Sequence, residues 1–174
     1  MNGKDSVMFS RKSDEWETPL WLFDLLDREF GFDCDVAATR ENSKCALFMQ
    51  DAFSLPVWCG YDDHFWDDDD CDLYVSKFFL NPPHSKIAAF IKKAYEESLK
   101  GAVVVCLIPC RTDTRYWHEY VMKAHEVRFI MGRLKFGDSK NLAPFPSCVV
   151  VFDHSKYDKN NDPLFSTIPN HKTD

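Results

Sequence analysis

Residues 102–108, Ala-Val-Val-Val-Cys-Leu-Ile, form an unbroken apolar run between Gly101 and Pro109. The run is far too short to cross a membrane, and a strand apolar at every position is one buried on both faces. Such a strand belongs inside a sheet covered by helices, so the flanking residues must supply them. They do. Ile87, Phe90, Ile91, Ala94, Tyr95 and Leu99 recur on one helical face, which Ser85 caps and Gly101 ends. Leu20, Phe23, Leu26 and Phe30 mark an earlier helix, with Thr18 as cap, Pro19 at its first position and Gly31 as its stop. Trp117, Tyr120, Val121 and Ala124 predict a third. Further strands are expected at 32–36, 45–49, 78–80, 127–131 and 148–152. Strands alternating with helices predict an α/β layered sheet, largely parallel.

With 174 residues, 45% of them apolar, the chain suits one compact domain. That domain is expected over 16–153, behind a loosely ordered arm at 1–15 and ahead of a polar tail at 154–174 that frays or wraps the surface. Seven cysteines, an odd number with no C-x-x-C pair, argue against a disulfide framework and for a reducing cytoplasm. Cys59, His64 and Cys71 match no zinc spacing, so no metal is expected. Net charge is −7, but Asp62, Asp63, Asp67, Asp68, Asp69, Asp70 and Asp72 account for all of it in one loop. That run reads as a solvated, self-repelling segment. Residues 101–152 hold seven Lys or Arg against four Asp or Glu, so overall acidity does not exclude a nucleic-acid partner.

The stretch richest in chemistry is Asn81-Pro82-Pro83-His84, which follows the apolar Phe78-Phe79-Leu80. Asn81 and Pro82 each precede a proline and are pushed to extended backbone. Neither proline carries an N–H, so the Asn81 side-chain oxygen and the Pro82 carbonyl are two acceptors with no competing backbone donor. Such a clamp suits a planar amine with two N–H donors, such as the exocyclic amine of a nucleobase. It would turn the amine's delocalised lone pair toward an electrophile by positioning alone. The same tetrapeptide also reads as a plain proline-rich turn from strand to helix. Asp35, Asp51 and Asn81 each follow an apolar run, which places all three at the strand ends where open α/β sheets bind ligands. No Gly-x-Gly-x-x-Gly or Gly-Lys-Ser/Thr loop is present, so a phosphate-cradled cofactor is disfavoured. Acidic strand ends suit a cationic, phosphate-free one, such as S-adenosylmethionine.

Several ordered segments carry a resemblance. They are Trp16-Glu17-Thr18-Pro19, Asp35-x-Ala37-Ala38, Asn81-Pro82-Pro83, Pro109-x-Arg111-Thr112-Asp113-Thr114, Gly132-Arg133-Leu134-Lys135-Phe136 and Pro144-Phe145-Pro146-Ser147. In this order, from about Trp16 to Phe152, the chain resembles the phage-type, Dam-like DNA adenine N6-methyltransferases. The resemblance implies a Rossmann-like, S-adenosylmethionine-dependent methyltransferase domain that methylates adenine N6 in DNA. It implies that Asn81, Pro82, Pro83 and His84 form the catalytic clamp. Glu17, Thr18, Pro19, Asp35, Ala37, Ala38 and Asp51 are implied as cofactor contacts, Asp35 toward the methionine ammonium and Asp51 toward the cofactor's adenine. His84 departs from the pattern, where Tyr or Phe is more usual, and the Asp-rich insertion is a second departure.

A target amine inside a duplex is out of reach, so base flipping is expected, with the adenine stacked on His84 and Phe136 or Phe145 as opposing wall. Arg111, Arg115, Arg133, Lys135 and Lys140 are candidate phosphate contacts. No membrane association and no obligate protein partner are implied. Two other readings use the same residues. One is a related N-methyltransferase acting on RNA or a protein glutamine. The other is a catalytically silent relative that binds DNA or mimics it through the Asp-rich loop.

Overall fold

The computed structural model describes residues 16–58, 60–61, 74–137, 141–156 and 162–170. Its elements run α1 (Leu20–Phe30), β1 (Cys34–Asp35), β2 (Leu47–Phe48), β3 (Gly60–Tyr61), β4 (Tyr74–Val75), β5 (Lys77–Leu80), α2 (Ile87–Ser98), β6 (Val103–Pro109), α3 (Arg115–Glu119), β7 (Glu126–Ile130), β8 (Ser147–Asp153) and β9 (Leu164–Ile168). Seven strands make one sheet in the order β2-β1-β5-β6-β8-β7-β9. Only β8 runs against its neighbours; the other ladders are parallel. The largely parallel α/β sheet is therefore as expected. Among the described residues no helix is long and apolar enough to cross a membrane.

The apolar run is divided by the pleat between two cores. Val104, Cys106 and Ile108 of β6 join Phe78 and Leu80 of β5 and Cys148, Val150 and Phe152 of β8 on one face, beneath Ile87, Phe90, Ile91 and Ala94 of α2. Val105 and Leu107, with Phe79, Val149 and Val151, meet Leu22, Phe23 and Leu26 of α1 on the other. Side chains alternate along a strand, so a run apolar throughout holds a helix on each side. Gly31 ends α1 in the left-handed region (φ 64°) and donates its N–H to the Asp27 carbonyl at 2.7 Å.

Several local expectations differ. Strands expected at 32–36 and 45–49 shrink to two residues each. Around the first of them side chains take over backbone donors: Asp27 accepts the Phe32 N–H, and Asp33 accepts those of Ser76 and Lys77. Pro19 is the residue before α1 and not its first helical position, and no side chain caps that end. Ser85 lies in a 3₁₀ turn (His84–Lys86), with Lys86 preceding α2. Leu99 falls beyond α2 and is exposed. The third helix is a five-residue α3 followed by a 3₁₀ turn over Val121–Lys123. The 54–77 loop contains the antiparallel pair β3–β4, while the Asp-rich run, Cys59, His64 and Cys71 lie outside the described residues, as does the 1–15 arm.

The largest correction concerns the tail. Its Leu-Phe-Ser-Thr-Ile segment is β9, paired in parallel with β7, and Ile168 is buried against the α1-side core. Polar composition averaged over 154–174 hid five residues well suited to a strand.

Candidate active site

From β1 the chain passes to β2 on one side and then returns to β5 on the other. The carboxyl ends of β1 and β5 therefore flank the point where strand order reverses, the usual ligand crevice of such sheets. A cavity of about 380 Å3 lies there. Trp16, Glu17 and Thr18 line it from the segment before α1, Asp35, Ala37 and Ala38 from the end of β1, and Asp51 and Phe53 from beyond β2. Asn81 and Pro83 close it from the end of β5. Most residues implied as cofactor contacts thus meet Asn81 and Pro83 in one cleft. Pro19 faces a neighbouring hollow instead, and Pro82 is buried.

Asp35 is 4% exposed, and its carboxylate accepts the N–H groups of Ala37 and Lys44, each at 3.3 Å. Burial pushes its pKa up to about 6, against the lowering effect of those N–H groups and the Lys44 charge. The Lys44 ammonium itself pairs with Glu17 at 2.6 Å. Asp51 is exposed and accepts the Phe53 N–H at 3.1 Å. That turn leaves the Phe53 ring 44% exposed beside Asp51 and edge-on to Phe90, 4.7 Å between centroids. Lys44, Phe53 and Phe90 were missed from sequence. Phe53 stands two residues after the acidic strand end, and that spacing was the available signal.

The Asn81 side-chain nitrogen donates to the Trp16 carbonyl and to the Thr18 hydroxyl, the latter at 3.0 Å. Thr18 therefore bonds Asn81 and does not cap the helix end. Next to it, His84 stacks on Trp16, with centroids 5.6 Å apart and planes 19° from parallel. Phe136 and Phe145 meet Trp16 edge-on at 5.3 and 5.5 Å, and Phe145 also touches His84 at 4.9 Å. One ring face expected to receive a base thus lies against an indole.

A second hollow of about 620 Å3 shares Glu17, Thr18 and Lys44 with the first and adds Arg133, Lys135 and Asn170. One terminal nitrogen of Arg133 is buried there without a hydrogen-bond partner. Arg111 is exposed after β6, and Arg115, on α3, pairs with Glu119 at 2.5 Å. Because β5, β6 and β7 are parallel, the segments carrying Asn81, Arg111, Arg133 and Lys135 all leave one edge of the sheet. Lys140 lies outside the described residues.

A doubly wound α/β sheet with an acidic cleft at its reversal point and an Asn-Pro-Pro turn beside it defines a domain of the methyltransferase-like class. The DNA N-6-adenine-methyltransferase (Dam) family model matches residues 5–168, and the chain belongs to that family. It is 31% identical over 119 residues to the DNA N-6-adenine-methyltransferase of Escherichia phage T1. That stretch is 67% of this chain but 44% of the phage protein, so the chain spans less than half the length of that relative.

Proposed function

We propose that this chain transfers a methyl group from S-adenosylmethionine to N6 of adenine in DNA. The observation that carries the reading is the buried Asp35 carboxylate and the Asn81 amide lining one cleft at the sheet's reversal point. The residues present fit the cofactor. Asp35 is a buried carboxylate that accepts the backbone N–H groups of Ala37 and Lys44, and a cationic ligand would compensate its charge. Ala37 and Ala38 keep the wall beside it shallow, and Phe53 offers a ring to an adenine that Asp51 would hydrogen-bond. When bound, the cofactor supplies a methyl group on a sulfonium. Asn81, with the Pro82 carbonyl, accepts the hydrogens of the target amine and aims its lone pair. Neither is a base, so the displaced proton passes to water.

DNA reaches this cleft by extrusion of the target adenine, with the Trp16, His84, Phe136 and Phe145 cluster as its aromatic wall. Arg111, Arg133 and Lys135, with Arg115 and Lys140, hold flanking phosphates. A reducing cytoplasm is the setting we assign. Parallel incubation of the protein and labelled cofactor with DNA, RNA or protein tests the reading. N6-methyladenine in the DNA nucleosides is the expected product by mass spectrometry. Methylcytosine alone, label only in RNA or protein, or cofactor binding without any transfer would each replace it.

Cofactor affinity should depend on acid through Asp35. A cationic ligand needs the ionised carboxylate, whose pKa in the free protein is about 6. Affinity is expected to level off above neutrality and to fall about tenfold per pH unit well below 6. In the free protein the sign is opposite. Protonated Asp35 contributes stability below its unfolded value of 3.8, and that contribution is lost as pH rises through about 6. Calorimetry across pH 5–8 checks this, and a flat profile would remove Asp35 from the cofactor.

A further inference from the structure

We propose that the Trp16 carbonyl and the Thr18 hydroxyl are positioning groups: the carbonyl decides which atom of the Asn81 amide faces the substrate, and the hydroxyl anchors the amide in that orientation. An Asn side chain presents oxygen on one arm and NH₂ on the other, and reversing it exchanges acceptor for donors. Here one arm lies against the Trp16 carbonyl, which can only accept, so that arm is the nitrogen. Thr18 takes its second hydrogen at 3.0 Å. With both N–H groups engaged, the oxygen is the arm left for the cleft that Asn81 lines. A reversed amide would set oxygen against the Trp16 carbonyl oxygen and lose that bond, and the Thr18 hydroxyl would have to turn from acceptor to donor.

The frame that holds these acceptors is itself tied down. Gly137 donates its N–H to the Glu17 carbonyl at 2.9 Å, and Lys44 pairs with the Glu17 carboxylate. The Trp16 ring is stacked on His84, and Thr18 is 4% exposed. Thr18 makes no capping bond to α1, so its hydroxyl is not explained by the helix. The arrangement also explains why this position carries Asn. An Asp would offer the same acceptor but no donor, and one of its oxygens would face the Trp16 carbonyl.

The inference rests on Asn81 acting as the clamp in methyl transfer. It is tested by steady-state methylation of DNA, at saturating cofactor, by wild type and the variants Thr18→Val, Thr18→Ser and Asn81→Asp. Cofactor Kd and thermal melting are measured on each. Thr18→Val keeps shape without an acceptor, and kcat is expected to fall by about 10- to 100-fold with Kd within about threefold of wild type. Thr18→Ser retains the hydroxyl and should keep kcat within about threefold. Asn81→Asp should lose about 100-fold or more. Unchanged kcat in Thr18→Val, or a weaker Kd with unchanged kcat, would overturn the proposal and leave Thr18 a structural or cofactor residue. Hydrogen exchange of the Asn81 side-chain NH₂ in wild type reads the orientation without any variant or turnover. Slow exchange of both protons is expected, and fast exchange overturns the assignment. If wild type methylates nothing, the clamp reading fails while the exchange result still stands or falls by itself.

Discussion

Asn81→Ala is expected to lower kcat by about 100- to 1,000-fold while leaving cofactor affinity near that of wild type. The variant removes the acceptor proposed to act on the reacting amine, and preorganised groups of this kind are worth about that much in other enzymes. The asymmetry between kcat and Kd is the informative part. Asn81 lines the cleft, but the residues proposed to grip the cofactor are Asp35, Asp51 and their neighbours. Single-turnover methylation beside calorimetry gives both quantities. A variant that keeps half its turnover, or one that loses cofactor binding in proportion, would move the chemistry away from Asn81.

Glu97→Ala should give the largest loss of stability, about 3–5 kcal/mol, the range for breaking a buried charge pair from one side. Glu97 is fully buried. One carboxylate oxygen accepts from Lys93 at 2.8 Å and Lys100 at 2.9 Å, the other from the Trp58 N–H at 2.9 Å. The two ammonium groups also bind the carbonyls of Leu55 and Pro56, and the Trp58 ring nitrogen reaches back to the Ala52 carbonyl. The network pins residues 52–58 to α2, and with them the wall carrying Asp51 and Phe53. Burial alone would raise the Glu97 pKa, but the hydrogen bonds from Lys93, Trp58 and Lys100 outweigh it and hold it below the ordinary 4.5. Its contribution is therefore present above about 4.5 and lost as pH falls through the lower folded value. Urea unfolding at pH 7 and pH 4 measures both effects. A loss under about 1 kcal/mol at pH 7 would make the network incidental.

What sequence could reveal followed the range of the interaction. The two helices flanking the central strands were legible because Leu20, Phe23, Leu26 and Phe30, and Ile87, Phe90, Ile91 and Ala94, repeat at local spacings, although Leu20 is exposed and Leu22 takes the buried place in α1. Asp35 and Asn81 were legible because strand ends announce themselves by an apolar run that stops. The β1 limits were not, since carboxylates of Asp27 and Asp33 take up backbone donors around it, across up to 44 residues of chain. Strand β9 was hidden by its polar surroundings. Nothing local tells Thr18 to turn from its own helix to an amide 63 residues away, or Trp16 to lie on His84.

Glu17, Thr18 and Lys44 form a party wall between the cleft and the hollow that holds Arg133 and Lys135. Two tenants of such a wall are bound by thermodynamic reciprocity. If occupying one side shifts the Glu17–Lys44 bridge and alters affinity on the other, the reverse effect must have the same magnitude. An anion drawn to the basic side competes with Glu17 for Lys44, so the acidic cleft would register its arrival as a change in charge as well as in shape.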